Sequence, residues 1–178
     1  MAFDSEIFKR AQGNERPPAV VVAVQLPGVT DGELASSIAE LERLAKTLGL
    51  GPVGRVVQRR AKLAPGIVLG DGKLKELATW TGGSGEAPAF ESAAARRKRL
   101  AAETDAEVDA DADEADPDDA PADETAPASK AQVVLVDHDL TPTQHHNLER
   151  ATGVDVLDRS SVIIEIFHRH AKTREARL

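Results

Sequence analysis

Apolar residues fall along this chain in two rhythms: short unbroken runs, and runs spaced by three and four. Ala19 to Leu26, A-V-V-V-A-V-Q-L, is of the first kind. A β-branched run without polar alternation predicts a strand buried on both faces. Pro27-Gly28 ends it. The second kind follows at once. Leu34, Ile38, Leu41, Ala45 and Leu48 recur at intervals of three and four, with Glu33, Glu40, Glu42, Arg43 and Lys46 largely elsewhere. That predicts an amphipathic helix from about Gly32 to Leu48, capped by Asp31 and stopped by a left-handed Gly49. Val53 to Arg59 predicts a second strand, so that strand, helix and strand form a right-handed βαβ unit. Ile67 to Leu69 reads as a short extended piece and Gly70-Asp71-Gly72-Lys73 as a tight turn. Lys73 to Trp80 reads as a helix with Leu74 and Leu77 inward.

The same rhythms return near the C-terminus. Val133 to Asp137 is another buried strand. Thr141-Pro142-Thr143-Gln144 is a capping box with Pro at the first helical position, opening a helix that Gly153 stops after Thr152. Val154 to Leu157 is a last strand, and Ser160-Ser161 offers hydroxyls to cap a terminal helix. Val162 to Phe167 is apolar nearly all round a helix, which predicts that its first turns are buried. Beyond Ala171 the next apolar position but one is Leu178, with charge between, as in a helix leaving a domain to join another. The alternation predicts an α/β domain, 19–80 and 130–160, with a small mainly parallel sheet of four to five strands flanked by helices. Residues 1–18 read as a flexible leader and 161–178 as the start of a helical linker or hairpin.

Composition changes the picture in one place. Residues 81–129 carry 14 acidic and 4 basic side chains, out of 30 and 22 in the whole chain. The remainder holds 16 and 18, so a chain of net charge −8 contains a folded part near +2. With Gly82-Gly83-Ser84-Gly85 at its head, twelve acids between Glu103 and Glu124, and Pro117, Pro121 and Pro127 toward its end, this stretch reads as a disordered acidic insertion. Loop-closure cost grows only logarithmically, so a domain tolerates such an insertion. There is no Cys, hence no disulfide framework and no thiolate metal site. No stretch approaches the ~20 apolar residues that span a bilayer. Met1 to Arg16 lacks the apolar core of a signal peptide, and the reading is a cytoplasmic protein.

Candidate chemistry is sparse. The phosphate-loop pattern fails at Gly70–Lys73, because five residues rather than four separate Gly66 from Gly72, and Leu74 stands where Ser or Thr is needed. The turn Gly70, Gly72, Lys73 could still hold an anion at a helix N-terminus. Asp137 and Asp139 lie at the carboxyl end of a strand, where open sheets place ligands. They read as loop carboxylates rather than as a Mg²⁺ or acid–base pair. Among His138, His145, His146, His168 and His170 no zinc pattern appears. His168 and His170, about 200° apart on a helix, cannot share an ion. Arg59, Arg60 and Lys62 make a basic patch, and Arg169, Lys172, Arg174 and Arg177 a basic helix surface. Without interleaved aromatics any RNA contact there would be to phosphates.

Four stretches together resemble the N-terminal region of the HflX family of ribosome-associated GTPases. They are Gln58-Arg59-Arg60; Gly70 to Leu77, G-D-G-K-L-K-E-L; Asp137 to Glu149, D-H-D-L-T-P-T-Q-H-H-N-L-E; and Asp158 to Leu178, D-R-S-S-V-I-I-E-I-F-H-R-H-A-K-T-R-E-A-R-L. The resemblance implies a parallel α/β domain followed by a helical hairpin and a GTPase domain. It implies a partner in the large ribosomal subunit and its rRNA, and the splitting of stalled ribosomes, with the hairpin tip near the peptidyl-transferase region. The chain carries no P-loop, no D-x-x-G and no N-K-x-D. The expectation is therefore a non-catalytic module without metal or cofactor, GTP and Mg²⁺ belonging to a GTPase domain outside this chain, with neither DNA nor membrane as partner. Arg59, Arg60, Lys62, Lys73 and Arg174 are the expected RNA or partner contacts. Ile163, Phe167, Ala171 and Leu178 are the expected seat of a partner helix. A protein-interaction domain, or a nucleotide-binding domain using the Gly70–Lys73 turn, are the alternatives.

Overall fold

The computed structural model of the protein describes residues 16–87 and 130–175, with side chains to residue 172. Most of the expected leader, residues 88–129 of the expected insertion, Leu178 and the Arg174 side chain lie outside what is described.

The strands are β1 (Pro18–Gln25), β2 (Gly51–Arg59), β3 (Val133–Val136) and β4 (Asp155–Asp158). The helices are α1 (Asp31–Thr47), α2 (Asp71–Thr81), α3 (Pro142–Thr152) and α4 (Arg159–Glu175). The sheet runs β2-β1-β3-β4 with every pairing parallel. β1 is therefore central, and its continuous Val/Ala run follows from having helices on both faces. Val20, Val22 and Val24 face Leu74, Leu77, Leu148 and Ala151 of α2 and α3. Ala19, Val21 and Ala23 face Ile38, Leu41, Ala45 and Val162 of α1 and α4.

The expected fifth extended piece forms no strand. Val68 and Leu69 are buried in the core, but their segment takes its hydrogen bonds from side chains instead of a ladder. Gln144 Nε2 donates to Ala64 O at 2.7 Å, and Asn147 Nδ2 to Gly66 O at 2.8 Å. Two buried amides on α3 thus satisfy a loop that would otherwise bury bare carbonyls. Gly54 in β2 lies under the Trp80 ring: a Cβ there would stand 2.3 Å from it.

Helix ends correct four sequence expectations. Thr30, not Asp31, caps α1: its hydroxyl accepts Glu33 N–H at 3.2 Å while the Glu33 carboxylate takes Thr30 N–H at 2.8 Å. This is a reciprocal capping box. α2 begins at Asp71, so Asp71, Gly72 and Lys73 are helical rather than a turn. It runs through Thr81, and Gly82 to Ala87 continue as placed chain beyond the expected edge of the insertion. There Gly85 N–H donates to Ala151 O at 2.9 Å, and a Cβ on Gly83 would stand 2.3 Å from that oxygen. Finally, Asp158 and not the double Ser caps α4, its carboxylate accepting Ser161 N–H at 2.8 Å.

The largest difference concerns the same helix. Its first turns are not buried all round. Val162 is buried and Ile166 packs beside it against α1, but Ile163 is 37 % exposed, Ile164 54 % and Phe167 68 %. The physical reason is geometric. One helix laid on one face of a sheet has a single covered side, and no described element lies over the other.

Candidate nucleic-acid interface

In a parallel sheet every strand ends at the same edge, and each following helix starts there. The carboxyl edge therefore gathers Gln25, Arg59, Asp137 and Asp158 with the first turns of all four helices. Arg59 is the last residue of β2, Arg60 and Lys62 begin the next loop, and Lys73 lies in the first turn of α2. These four expected contacts thus share one edge. Arg174 does not. It sits fifteen residues along α4, about 22 Å from the start of the helix at 1.5 Å per residue. Arg169, one turn earlier, already donates to Leu48 O at the far end of α1.

Three of these four, Arg59, Arg60 and Lys73, make contacts within the domain. Arg59 Nε donates to Gln25 Oε1 at 2.8 Å and its Nη2 to Asp31 Oδ1 at 3.0 Å. Gln25 Nε2 completes a triangle by donating to the same Asp31 oxygen at 2.8 Å. Asp31 is held below the ordinary carboxylate range, first by that amide and then by the Arg59 charge. Arg60 N–H donates to Gln25 O at 3.0 Å, and its Nη1 approaches Val68 O at 3.4 Å. Beside them a crevice of about 690 Å³ opens between the β1–α1 loop, Leu26 to Thr30, and Arg59 to Ala61.

The Gly70–Lys73 segment is less open than its sequence implies. Lys73 Nζ is tied to Glu76 at 2.7 Å, and both side chains are only about 20 % exposed. No side chain caps α2. Gly70 N–H donates instead to Oε1 of the fully buried Gln58 at 2.8 Å. A Cβ on Gly70 would stand 2.9 Å from Gln58 Nε2. In the sequence Gln58 stands out only as the neighbour of Arg59 and Arg60. The available signal was period two, which puts Gln58 on the inward face with Val56.

Asp137 and Asp139 hold structure together. Asp137, its side chain 5 % exposed, pairs with Arg159 Nη1, while Arg159 Nη2 reaches Glu40 at 2.7 Å. Ser37 Oγ also accepts from Arg159, and Asp139 accepts from Ser160. Asp158 spans both sides, taking Leu140 N–H at 3.2 Å besides its cap. His138 Nε2 donates to Val24 O at 2.8 Å and so extends the β1–β3 seam by a side chain. His145 similarly reaches Val156 O at 2.7 Å. Among the described residues no three His, Asp or Glu converge as a metal site, and no helix is long and apolar enough to cross a membrane. Ile163, Phe167 and Ala171 do share an exposed side of α4.

The fold is thus a four-stranded parallel α/β domain with a basic edge and a half-covered last helix. A family model described as GTP-binding GTPase N-terminal matches residues 35–87 and 121–168, more than half of the chain. The GTPase HflX of Gluconacetobacter diazotrophicus is 49 % identical over 166 residues, 91 % of this chain and 34 % of that protein. That of Lacrimispora saccharolytica is 28 % identical over 174 residues, 98 % of this chain and 30 % of that protein. Over a shorter stretch of 55 residues, the GTPase HflX of Escherichia coli is 46 % identical. The chain belongs to this family, as an N-terminal domain of the HflX type. It spans about a third of the length of the first two of these relatives.

Proposed function

We propose that this domain is a non-catalytic module that meets the large ribosomal subunit through its carboxyl edge and positions a GTPase domain through α4. The observation that carries the reading is the gathering of Arg59, Arg60, Lys62 and Lys73 at one edge, where phosphates can be met together. The relatives are named GTPases, and this chain corresponds to a third of their length. On this reading GTP and Mg²⁺ are handled outside this chain, and the protein acts in the cytoplasm. Co-sedimentation of the chain with purified large subunits at moderate salt tests it. Arg59→Ala with Arg60→Ala should cut the bound fraction several-fold. Equal binding by the variant would sink the reading.

The exposed Ile163, Ile164 and Phe167 favour a second surface for protein. An apolar stripe at i and i+4 suits an amphipathic helix laid alongside. Cross-linking or sedimentation with a GTPase domain of a relative, added in trans, should show a complex that Phe167→Ser weakens. The nucleotide alternative at Gly70–Lys73 is disfavoured by the Lys73–Glu76 pair, and calorimetry with ATP and with GTP should register no heat.

A further inference from the structure

Arg59 Nη2 and Gln25 Nε2 converge on a single carboxylate oxygen of Asp31, a position that a phosphate oxygen can take. Arg59 Nε and Nη2 are directed at Gln25 Oε1 and Asp31 Oδ1, and the Gln25 amide donates to that same Asp31 oxygen. The Asp31 oxygen thus receives two N–H donors from two different strands. All of this lies at the lip of the crevice beside Leu26, Pro27 and Val29, and both charged side chains are mostly exposed, 68 % for Arg59 and 77 % for Asp31. A weak exposed pair of this kind exchanges readily for an external anion. A phosphate oxygen accepts the same charge-assisted N–H bonds as a carboxylate oxygen.

We propose that the Gln25–Arg59 donor pair is a contact for a single RNA backbone phosphate, occupied in the free domain by Asp31, which must leave for RNA to bind. The proposal rests on the reading that this edge meets RNA. Gln25 and Arg59 supply the donors, and Asp31 is an internal competitor that lowers affinity. While Asp31 neutralises Arg59, phosphate binding at this arginine swaps one anion for another and releases no net counterion. Removing the competitor should therefore both tighten binding and steepen its salt dependence.

Binding of the full chain to purified large ribosomal subunits, measured between 50 and 200 mM salt as about the usual range for such slopes, distinguishes the outcomes. Asp31→Asn should bind about two- to fivefold tighter at low salt. Its slope of log affinity against log salt should steepen by somewhat under one. Asp71→Asn removes one negative charge from the first turn of α2, outside the Gln25–Asp31–Arg59 triangle, and should leave the slope unchanged. Asp31→Asn with Arg59→Ala should lose the gain. If Arg59→Ala weakens binding while Asp31→Asn leaves it equal or weaker, the competitor is refuted and the RNA-facing edge stands. If Arg59→Ala with Arg60→Ala has no effect, the edge itself is refuted. Thermal melts of each variant, with Thr30 and Glu33 still capping α1, show that the compared proteins are folded.

Discussion

Gln58 Oε1 accepts the backbone N–H of Gly70 at 2.8 Å, and Gln58 Nε2 occupies the space that any side chain at position 70 would need. One buried amide thus fixes where α2 begins and why its first flanking residue is glycine. Gly70→Ala should destabilise the domain by about 1–2 kcal/mol, from overpacking against Gln58 and from a poorer cap. Gln58→Leu should cost about 1–3 kcal/mol by leaving the Gly70 donor unpaired. Urea titration of both variants checks this. If Gly70→Ala is neutral, the close approach of Gln58 does not constrain the turn.

How far the sequence reaches is visible in the same region. The β1 run and the Thr141–Gln144 box were legible because each is local: periodicity and capping need only a few consecutive residues. The start of α1 was not, since Thr30 and Asp31 can both cap and only the reach of Glu33 decides between them. The Asp31–Arg59 pair spans 28 residues and depends on which strands become neighbours. The basic edge was legible for Arg59, Arg60 and Lys62 through adjacency. Arg174 belongs to the separate basic surface of α4, far along that helix from the edge, and its side chain lies outside the described residues. For α4, composition states how much apolar surface the helix carries but not which neighbour covers it.

That difference on α4 gives a direct stability contrast. Leu135 lies at the centre of β3 and is 0 % exposed, whereas Phe167 is 68 % exposed. Leu135→Ala should cost about 2–5 kcal/mol through lost burial and the cavity left behind. Phe167→Ala should change stability by no more than about 0.5 kcal/mol, despite removing a larger side chain. Chemical denaturation of the two variants measures it. A large loss for Phe167→Ala would mean that the aromatic is covered in the free domain.

Trp80 offers a spectroscopic probe, being the sole tryptophan of the chain. Its ring covers Gly54, where a Cβ would intrude to 2.3 Å. Gly54→Ala should push the indole off β2 toward solvent. The expected result is a red-shifted emission maximum with a loss of about 1–3 kcal/mol from the strained contact. An unchanged spectrum with unchanged stability would contradict the packing of α2 on β2.

Acid should weaken the fold in a defined window. Arg55 bonds Glu42 at 2.6 and 2.9 Å, and those hydrogen bonds hold the Glu42 carboxyl below its ordinary value of 4.5. Glu33 is lowered as well, by the Thr30 backbone N–H first. A carboxyl whose folded value is depressed stabilises the fold above its unfolded value. That contribution fades as pH falls through the lower folded value. Stability should therefore be level near neutrality and decline below about pH 4.5. Arg55→Ala should flatten part of that decline while costing under about 1 kcal/mol at neutral pH, because Arg55 is half exposed. An identical acid limb in the variant would remove Glu42 from the account.

Arg159 is the point at which α4 is fixed to the rest of the domain. It joins buried Asp137 at the end of β3, Ser37 and Glu40 on α1, and the first turn of its own helix. Removing it leaves the Asp137 carboxylate buried and unpaired, the costly way to break an ion pair. Arg159 is itself a quarter exposed, so solvent tempers the loss, and Arg159→Ala should cost about 2–4 kcal/mol. Adding Asp137→Asn removes the stranded charge and should restore part of that stability. A double-mutant cycle in urea measures the coupling. If the double variant is no more stable than Arg159→Ala, the penalty comes from lost packing at the start of α4. If it recovers, the direction in which α4 leaves the domain is set by one buried charge pair. Arg159→Ala would then loosen any partner carried on that helix while leaving the basic edge intact.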